Sequence, residues 1–352
     1  MVANENYIRR IIGNIREDLF PALGNLTKHE ICGHQCLTFS EIYSVKLYFK
    51  QSVKSIILKK YLKEKRANDD KLSVEREYNI LNFLYQRFLS LEGINVIKPL
   101  AFLLEEDILI TEEFVADKLN SLIVNEVRWI PSKRKKKQIE NYFFQCGRWL
   151  RDFQKFTRKN EVTPFSHDRY VENTEKKLAS SIKYGLKKTF HKKIYQFIDD
   201  RFKRIGNQKL DLVGYHGDFT PWNVLASDNE IRVLDLDRFS YRNMYEDLTL
   251  FLCCLESEKS IVGMTNKNIN ILKDSFIQGY DIEKMVHDIF NLYILKNTLK
   301  ALNCIDIYKN ANTKSLDLLY EKYRKRRQIK LYLNYIDNLI IINKNSKIEK
   351  IN

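Results

Sequence analysis

The sequence lacks the features of a membrane-spanning or secreted protein. Its 352 residues contain no stretch close to the roughly 20 apolar residues that span a bilayer. The N-terminal segment, with Glu5, Arg9 and Arg10, lacks the apolar core of a signal peptide. The six cysteines are scattered and include the adjacent pair Cys253-Cys254, unlike a secreted disulfide framework. We therefore expect a protein of the reducing cytoplasm.

The sequence also lacks a complete zinc signature. Cys32 and Cys36 lie near His29 and His34, but no second C-x-x-C pair completes a tetrahedral site. This absence disfavours a structural metal centre there. Neither an internal repeat nor a long linker is evident. At 44% hydrophobic residues, the chain is long enough to bury the cores of two lobes.

Positive charge is in excess and is locally concentrated. The chain has 60 Lys and Arg against 45 Asp and Glu, a formal net charge of +15. Lys133–Lys137 and Lys322–Arg327 are dense basic runs, typical either of solvated helix faces or of surfaces that contact anionic lipid. We expect no specific nucleic-acid partner and allow peripheral contact with the inner face of a membrane through either run. The sequence does not indicate the oligomeric state.

The most informative motif is the octapeptide His-Gly-Asp-Phe-Thr-Pro-Trp-Asn at residues 216–223. Its H-x-D-x-x-x-x-N spacing is that of a phosphoryl-transfer catalytic loop. The turn formers of residues 227–230 separate two short apolar runs and predict a tight β-hairpin. Position 223 would then lie across from Asp235, to within about one residue. Two hard oxygen ligands at that separation suit Mg²⁺.

A chance origin of this pattern is the alternative. His216 and Asp218 would then only cap a turn, as a lone H-x-D often does. Against this, the sequence predicts that Asp235 and Asp237 lie in a strand otherwise made of Val, Leu and Ile. Carboxylates in such a strand are costly unless they bind a cation or find partners.

The loop, the run Val-Leu-Asp-Leu-Asp-Arg at 233–238 and Tyr-Glu-Asp-Leu at 245–248 resemble the aminoglycoside phosphotransferase and choline kinase superfamily, relatives of protein kinases. Gly217 stands where protein kinases have Arg, and an Asp-x-Asp replaces Asp-Phe-Gly, which disfavours a protein kinase. The resemblance implies a catalytic site at Asp218, the base, with His216 in the same loop.

The same resemblance implies a metal site and a brace for the loop. Asn223 and Asp235 would be metal ligands, and Asp237 a further candidate ligand. Asp247 would brace the catalytic loop from the following helix. By itself, Asp247 is equally consistent with an ordinary acid in the first turn of a helix.

Upstream, residues 42–49 and 55–62 are β-branched and aromatic runs that predict a hairpin. Lys59 follows Ile-Ile-Leu as the nucleotide lysine of kinases follows Val-Ala-Ile. Lys60 is the alternative, because successive strand residues point to opposite faces and only one of the two can enter a cleft. We favour Lys59. The apolar period of residues 72–84 predicts a helix that supplies its glutamate partner, Glu77 rather than Glu75.

Residues 97–102 and 108–110 predict two further strands that lead into a hinge at residues 112–115. Glu113 and Val115 would bind the adenine there through backbone groups, so their identity does not separate ATP from GTP. A phosphate-covering loop is expected near residues 33–40. That segment contains one glycine and departs from G-x-G-x-x-G, so its contacts stay unassigned.

These features predict an α+β, bilobal, protein-kinase-like fold. Residues 1–115 would form a small antiparallel-sheet lobe with one helix, and residues 116–352 a large, mainly helical lobe. A helical stripe runs from Ile139 to Phe156, with Gln154 where many relatives have His. Further helices are predicted over residues 248–255, 269–280, 282–302 and 315–342.

We expect an ATP- and Mg²⁺-dependent kinase that phosphorylates a hydroxyl of a small molecule. The excess positive charge favours a sugar or glycan acceptor, free or lipid-linked, over a polycationic one, although net charge concerns encounter and not the pocket. An aminoglycoside or choline/ethanolamine kinase is the alternative. A nucleotide-binding pseudokinase without turnover is a second alternative, supported by the glycine-poor loop.

Overall fold

The computed structural model describes residues 7–13, 19–62, 73–128, 132–184, 186, 188–281, 285–305 and 315–345. By its internal contacts the chain divides into two compact units. Unit 1 comprises Met1–Asp117 and Leu225–Phe239, and unit 2 comprises Lys118–Val224 and Ser240–Asn352. The sequence predicted a single division near residue 115 and did not anticipate that residues 225–239 group with the N-terminal unit.

The strands are, in chain order, β1 (Leu26–Cys36), β2 (Ser40–Phe49), β3 (Val53–Tyr61), β4 (Ile94–Val96), β5 (Pro99–Leu103), β6 (Ile108–Glu112), β7 (Asp117–Lys118), β8 (Val162–Pro164), β9 (Lys209–Asp211), β10 (Val213–Tyr215), β11 (Val224–Ser227), β12 (Glu230–Val233) and β13 (Ser240–Arg242).

The longer α-helices are α1 (Val74–Phe88), α2 (Lys133–Phe156), α3 (His167–Ser181), α4 (Lys188–Ile205), α5 (Tyr245–Glu258), α6 (Asn266–Tyr280), α7 (His287–Cys304) and α8 (Ser315–Asn345). Short helical turns are Pro21–Leu23, Leu119–Leu122, Ile123–Val127, Ile182–Tyr184 and Pro221–Asn223.

Unit 1 is built on a five-stranded antiparallel sheet of order β1-β2-β3-β6-β5. The predicted hairpin is its centre, with Tyr48 opposite Val53. Alternation along β3 places Ile56 and Leu58 on a fully buried face, in one apolar cluster with side chains of residues 7–13. That helical segment therefore covers one face of the sheet.

Helix α1 belongs to the same unit and begins at an N-cap. The Ser73 hydroxyl accepts a hydrogen bond from the backbone N–H of Arg76, 3.3 Å away. Leu81, Leu84 and Phe88 form the buried stripe of the helix. Residue 72, where the predicted helix began, lies outside the described residues.

The β11–β12 hairpin completes unit 1. Asp228 and Asn229 both have left-handed backbone conformations, as a two-residue type I′ turn requires. Strand β12 pairs in parallel with β4, so that Val233 lies opposite Val96. The predicted strand over residues 97–102 corresponds to β5, which begins two residues later at Pro99 and pairs with β6. Strand β4, which pairs with β12 in the other sheet, was not predicted.

The predicted strand position of Asp235 is wrong. Strand β12 ends at Val233, and Asp235 has φ +66°, in the left-handed region. Aspartate tolerates this region better than most residues because its short polar side chain can bond locally. The chain therefore turns at the carboxylate instead of continuing the ladder.

Unit 2 is mainly helical, with two short strand pairs, β8–β9 and β10–β13. Helices α3 and α4 were not predicted. The helix predicted from residue 282 starts at His287 instead, and residues 282–284 lie outside the described part. Within the described residues, none of the helices combines the length and apolar character needed to cross a lipid bilayer.

Helix α2 is the centre of unit 2. Its predicted stripe is buried, with Trp149 and Phe153 fully enclosed. Gly147 of α2 and Gly279 of α6 bring the two backbones together, because a Cβ on either residue would overlap the other helix's backbone. This close crossing holds α6 against the helix that lies beneath the catalytic-loop motif.

Candidate active site

The H-x-D-x-x-x-x-N segment follows β10 and is held in place by one buried carboxylate. The backbone N–H groups of His216 and Gly217 donate to the two Asp247 carboxylate oxygens, at 2.6 and 3.1 Å. Asp247 lies in the first turn of α5 and is 1% exposed. Gly217 has φ +87°, a conformation open to glycine at little steric cost. The brace expected from sequence is thus geometrically present.

Burial raises the pKa of Asp247 to about 7, although the two backbone hydrogen bonds act to lower it. The ionised form is the better acceptor for both N–H groups. The position of the loop is therefore linked to a proton that dissociates near neutral pH.

Asp218 and Asn223 lie together at the half-buried rim of this loop. The Asn223 side-chain amide donates to the Asp218 carboxylate and to the Asp218 backbone carbonyl, both at 2.9 Å. Because Nδ2 makes both bonds, the Asn223 amide oxygen remains an acceptor that can face a cation. Pro221 opens the short helical turn that carries Asn223 back toward Asp218.

His216 is fully buried and supports the loop from beneath. Its Nδ1 accepts a hydrogen bond from the Asp218 backbone N–H at 3.3 Å. Its ring meets Trp149 edge to face at 6.2 Å, and Phe219 stacks on the same indole at 5.0 Å. His216 thus contacts the loop and the α2 core, and the sequence had placed it in the catalytic group.

Unit 1 holds a second polar cluster, around Lys59 on β3. The Lys59 ammonium is paired with the Asp235 carboxylate and lies 3.7 Å from a Glu77 oxygen. Glu77, from α1, is 1% exposed and also accepts a hydrogen bond from the Tyr61 hydroxyl. Asp237 is likewise buried, at 4% exposed. The predicted lysine, glutamate and aspartates of unit 1 are therefore brought together.

This cluster carries more negative than positive charge. Burial acts to lower the pKa of Lys59, but the charges of Glu77, Asp235 and Asp237 outweigh it and hold that pKa well above its usual range. Burial also raises the pKa of Glu77, and the two aspartates add to the rise. One ammonium among three carboxylates leaves room for a divalent cation, so the donor set fits Mg²⁺.

The structure distinguishes Lys59 from Lys60. The Lys60 ammonium lies on the opposite face of the sheet, 4.2 Å from the centre of the Tyr7 ring. The Lys59 ammonium lies 4.7 Å from the Tyr61 ring centre, beside Glu77. Tyr61 was not singled out from sequence, although its spacing of two from Lys59 places both on one face.

Glu113 and Val115, the predicted hinge residues, directly follow strand β6. The Glu113 N–H donates to the Ser55 carbonyl at 2.9 Å, and the Ser44 hydroxyl donates to the Glu113 carboxylate at 3.0 Å. Val115 is 81% exposed.

The predicted phosphate loop is not a long loop in the structure. Gly33 lies within β1, and the β1–β2 connection is only residues 37–39. The expected loop over residues 33–40 is therefore mostly strand.

Gln154 was noted from the sequence, whereas the proximity of Glu41 to His34 and Cys36 was not. Gln154 is buried and bonds the Met244 carbonyl and the Tyr280 hydroxyl, a structural role. His34, Cys36 and Glu41 bring three potential ligand atoms within 4.8 Å of one another at the exposed end of the β1–β2 hairpin. The register that pairs Cys36 with Glu41 was not evident from spacing. Three donors, two of them exposed and Glu41 half-buried, do not complete a tetrahedral zinc site.

Similarity to known proteins identifies the family and the fold of the chain. A family model described as "Phosphotransferase enzyme family" matches residues 40–265. Among curated protein sequences, none matches the chain.

Three solved structures show the same fold at low identity. A spectinomycin phosphotransferase in complex with ADP and spectinomycin is 13% identical, with 92% of this chain and 97% of that chain covered and a TM-score of 0.52. A choline kinase from Cryptosporidium parvum Iowa II is 13% identical, with coverage of 96% and 99% and a TM-score of 0.51. An amicoumacin kinase in complex with AMP-PNP and Ca²⁺ is 16% identical, with coverage of 93% and 95% and a TM-score of 0.50. The predicted protein-kinase-like fold is confirmed.

Proposed function

This chain belongs to the phosphotransferase enzyme family, and we propose that it transfers the γ-phosphoryl group of ATP to a hydroxyl of a small molecule. The observation that carries the proposal is the Asp218–Asn223 arrangement, held by two backbone hydrogen bonds to Asp247. A loop that only capped a turn would have no need of a buried carboxylate brace, since burying that charge is costly.

Asp218 is proposed as the catalytic base. Its half-buried carboxylate is positioned by Asn223 and by the backbone of the loop, and it would orient the acceptor hydroxyl and take its proton. His216 is proposed as a positioning residue, because it is fully buried and its Nδ1 holds the Asp218 N–H. Phosphoryl transfer asks little covalent chemistry of the protein, so placement of these groups is the main requirement.

Lys59 is proposed to contact the ATP phosphates, with Glu77 orienting its ammonium. Asn223, Asp235 and Asp237 are the proposed Mg²⁺ ligands, and the excess negative charge around Lys59 supports this assignment for the two aspartates. When bound, Mg²⁺ would offset charge on the phosphate oxygens. Glu113 and Val115 are proposed to bind adenine through their backbone groups.

A sugar or glycan hydroxyl, free or lipid-linked, is the proposed acceptor. Aminoglycosides and choline are cations, and a chain of net charge +15 would repel them on approach. Two of the structural neighbours are a spectinomycin phosphotransferase and a choline kinase. The proposal for this chain therefore depends on its own charge and on the phosphotransferase family to which it belongs.

We also propose that the enzyme works in the cytoplasm and touches the inner membrane face through a basic run. Residues 133–137 form the first turn and a half of α2, where Lys135 pairs with Glu126 at 2.6 Å. Positive side chains at a helix N-terminus are disfavoured by the helix dipole, so an external anionic surface would stabilise them. Residues 322–327 on α8 are the alternative contact.

The decisive test of the proposed function compares wild type with Asp218→Asn. With Mg·ATP and a panel of hydroxyl compounds, wild type should release ADP in an acceptor-dependent manner. In the Asp218→Asn variant, kcat should be lower by about 10³-fold, within the 10²- to 10⁴-fold range of general-base catalysis. The Kd for Mg·ATP, measured by calorimetry, should change less than about threefold because the nucleotide ligands are intact.

Two outcomes would contradict the proposal. Equal turnover in the Asp218→Asn variant would remove the assigned base. Binding of Mg·ATP without any ADP release from wild type would favour the pseudokinase alternative, which the short glycine-free β1–β2 connection supports.

A further inference from the structure

Unit 2 contains a cavity that the sequence did not reveal. Its volume is about 400 Å³, in the lower part of the range of about 300–1,000 Å³ that small-molecule sites occupy. The walls come from the β8–α3 segment, the end of β13 and helix α7. These segments are spread along the chain from Thr163 to Lys296, so only the tertiary structure creates the cavity.

The cavity adjoins the catalytic loop. Arg242, which lines it, lies opposite Val213 in the β10–β13 pair, three residues before His216. Glu246 lines it too, and the next residue, Asp247, holds the loop. Tyr215 connects the two sites, because its ring lies 5.4 Å from the Arg242 guanidinium carbon. The Tyr215 hydroxyl also donates to the Gly217 carbonyl at 3.5 Å, so a molecule in the cavity would lie near the loop that carries Asp218, the proposed base.

The charges in the cavity are predominantly positive. Arg169, Arg242 and Lys296 line it, against the single carboxylate of Glu246. That carboxylate is already neutralised, because the Lys296 ammonium bonds it at 2.5 Å and both side chains are largely buried. A cationic acceptor would therefore meet no free carboxylate here, whereas the two arginines have no carboxylate within ion-pairing distance among the described residues.

A neighbouring helix reinforces the positive potential. Helix α3 begins at the cavity, where its N-cap Ser166 is a lining residue, so the positive end of its dipole adds to the field. Two arginines that lack a carboxylate within ion-pairing distance among the described residues, beside a helix N-terminus, are typical of a site that binds an anion.

The remaining wall suits a polyhydroxylated ring. Tyr241, Tyr293 and Phe165 present aromatic surface, and Asn243 donates from its side chain to the Tyr293 hydroxyl at 2.6 Å. Aromatic walls with a few placed polar groups are the usual composition of small-ligand sites.

We infer that this cavity is the acceptor subsite and that the acceptor is a hydroxyl compound carrying an anionic group, a phosphate or a carboxylate, bound by Arg169 and Arg242. The inference rests on the proposed phosphotransferase function and specifies the substrate class for the same site. The planar guanidinium fork matches both anions, with two parallel hydrogen bonds to each.

The first experiment measures binding with the nucleotide site filled by Mg·AMP-PNP. Inorganic phosphate, glucose 6-phosphate, glucuronate and glucose are titrated by calorimetry into wild type, Arg169→Gln/Arg242→Gln and a matched control, Arg158→Gln. Arg158 is exposed, pairs with Asp211 at 2.6 Å and does not line the cavity. The double variant should bind the anions at least tenfold more weakly, and the control should bind like wild type.

A Lys/Lys double variant sharpens this measurement. Arg169→Lys/Arg242→Lys keeps the charge but loses the bidentate geometry, so its affinity should lie between those of wild type and the Gln/Gln variant. Stronger binding of the phosphorylated sugar than of glucuronate would identify phosphate as the anionic group, and the reverse would identify a carboxylate. Anion binding that is absent from wild type, or undiminished in the Gln/Gln variant, overturns the inference.

The second experiment measures ADP release with the same sugars, choline and an aminoglycoside. The anionic sugars should give at least tenfold higher kcat/KM than glucose, and the Gln/Gln variant should lose this preference mainly through KM. Equal or faster turnover with glucose, choline or the aminoglycoside would overturn the inference and leave the proposed function standing. Failure of wild type to bind Mg·ATP would instead overturn the proposed function itself.

Discussion

The candidate site residues of unit 1 and those of unit 2 are held by different kinds of interaction. In unit 1, Lys59, Glu77 and Asp235 position one another through side-chain charges. In unit 2, the loop that carries Asp218 is positioned through its own backbone, by hydrogen bonds to Asp247. The geometry of the Lys59 cluster therefore depends on a balance of charges. The position of the Asp218 loop depends on the protonation state of one buried carboxylate.

This difference indicates which substitutions the unit 1 cluster and the unit 2 loop each tolerate. The unit 1 cluster has excess negative charge, so removing a carboxylate changes both the lysine's partner and the affinity for a cation. The unit 2 loop keeps its shape as long as its two N–H groups have an acceptor, because unsatisfied buried amides are costly. Three substitutions test the contrast.

The largest effect is expected for Asp235→Asn. Asparagine keeps the left-handed backbone that this position requires, so the variant isolates the lost charge. Turnover should fall by about 10³-fold or more, because charge stabilisation by a bound metal is worth several kcal/mol. Steady-state kinetics over a range of Mg²⁺ concentrations would measure it.

The control is Asp228→Asn at the exposed tip of the β11–β12 hairpin, which is also left-handed. It should stay within about twofold of wild type, the scatter expected of a surface change. If both variants lose activity equally, the unit 1 cluster is not a metal site and the contrast fails.

A smaller effect is expected for Lys59→Met, with Lys60→Met as its neighbour control. Loss of the Lys59 charge should lower kcat/KM for ATP by about 10²-fold, as removal of one electrostatic contact to a transferring group does. Lys60 lies over the Tyr7 ring on the other face, so its loss should leave the kinetics unchanged. Its removal should cost about 0.5–1 kcal/mol of unfolding free energy through the cation–π contact. The reverse kinetic ranking would show that the face assignment is wrong.

The smallest effect is expected for Asp247→Asn, which offers one oxygen to two N–H groups. We expect kcat to fall by about tenfold, the effect of a misplaced loop with its catalytic groups intact, and the Kd for Mg·ATP to stay unchanged. In wild type, kcat should also fall as pH drops through about 7, because protonation weakens the acceptor. The Asn variant should lose that pH dependence, and a retained dependence would assign it to another group.

The raised pKa of Asp247 also predicts how its contribution to the unfolding free energy changes with pH. Its pKa is raised from 3.8 to about 7 on folding, so the folded state binds the extra proton between these values. Its contribution to unfolding free energy should therefore decrease as pH rises from about 4 to about 7 and stay constant above that. The difference between wild type and Asp247→Asn in urea unfolding at several pH values measures this contribution.

The fold was predictable where local patterns are strong. The β2–β3 hairpin follows from β-branched runs, and α2 follows from a long apolar stripe. The family-model match confirms the predicted phosphotransferase resemblance. Helices α3 and α4 escaped prediction. Strand β4 also escaped, because it depends on pairing with β12, more than a hundred residues away.

The candidate site divides in the same way. The spacing from His216 to Asn223 is local, so the sequence alone singled out Asp218 and Asn223, and the structure shows that their side chains meet. The convergence of Asp218 and Asn223 with Asp235 on one cation stays a prediction. Alternation within β3 showed that only one of Lys59 and Lys60 can enter a site, but not which one.

The sequence by itself therefore determined the chemistry: which carboxylates, amide and lysine are present, and at what spacing along the chain. Only the tertiary structure decided that residues 7–13 cover the Lys60 face, that Asp235 leaves its strand, and that Arg169 and Arg242 share a cavity. The physical reason is how far apart in the sequence the interacting residues lie. Local spacing sets backbone hydrogen bonds over a few residues, whereas burial and charge balance depend on segments brought together by folding.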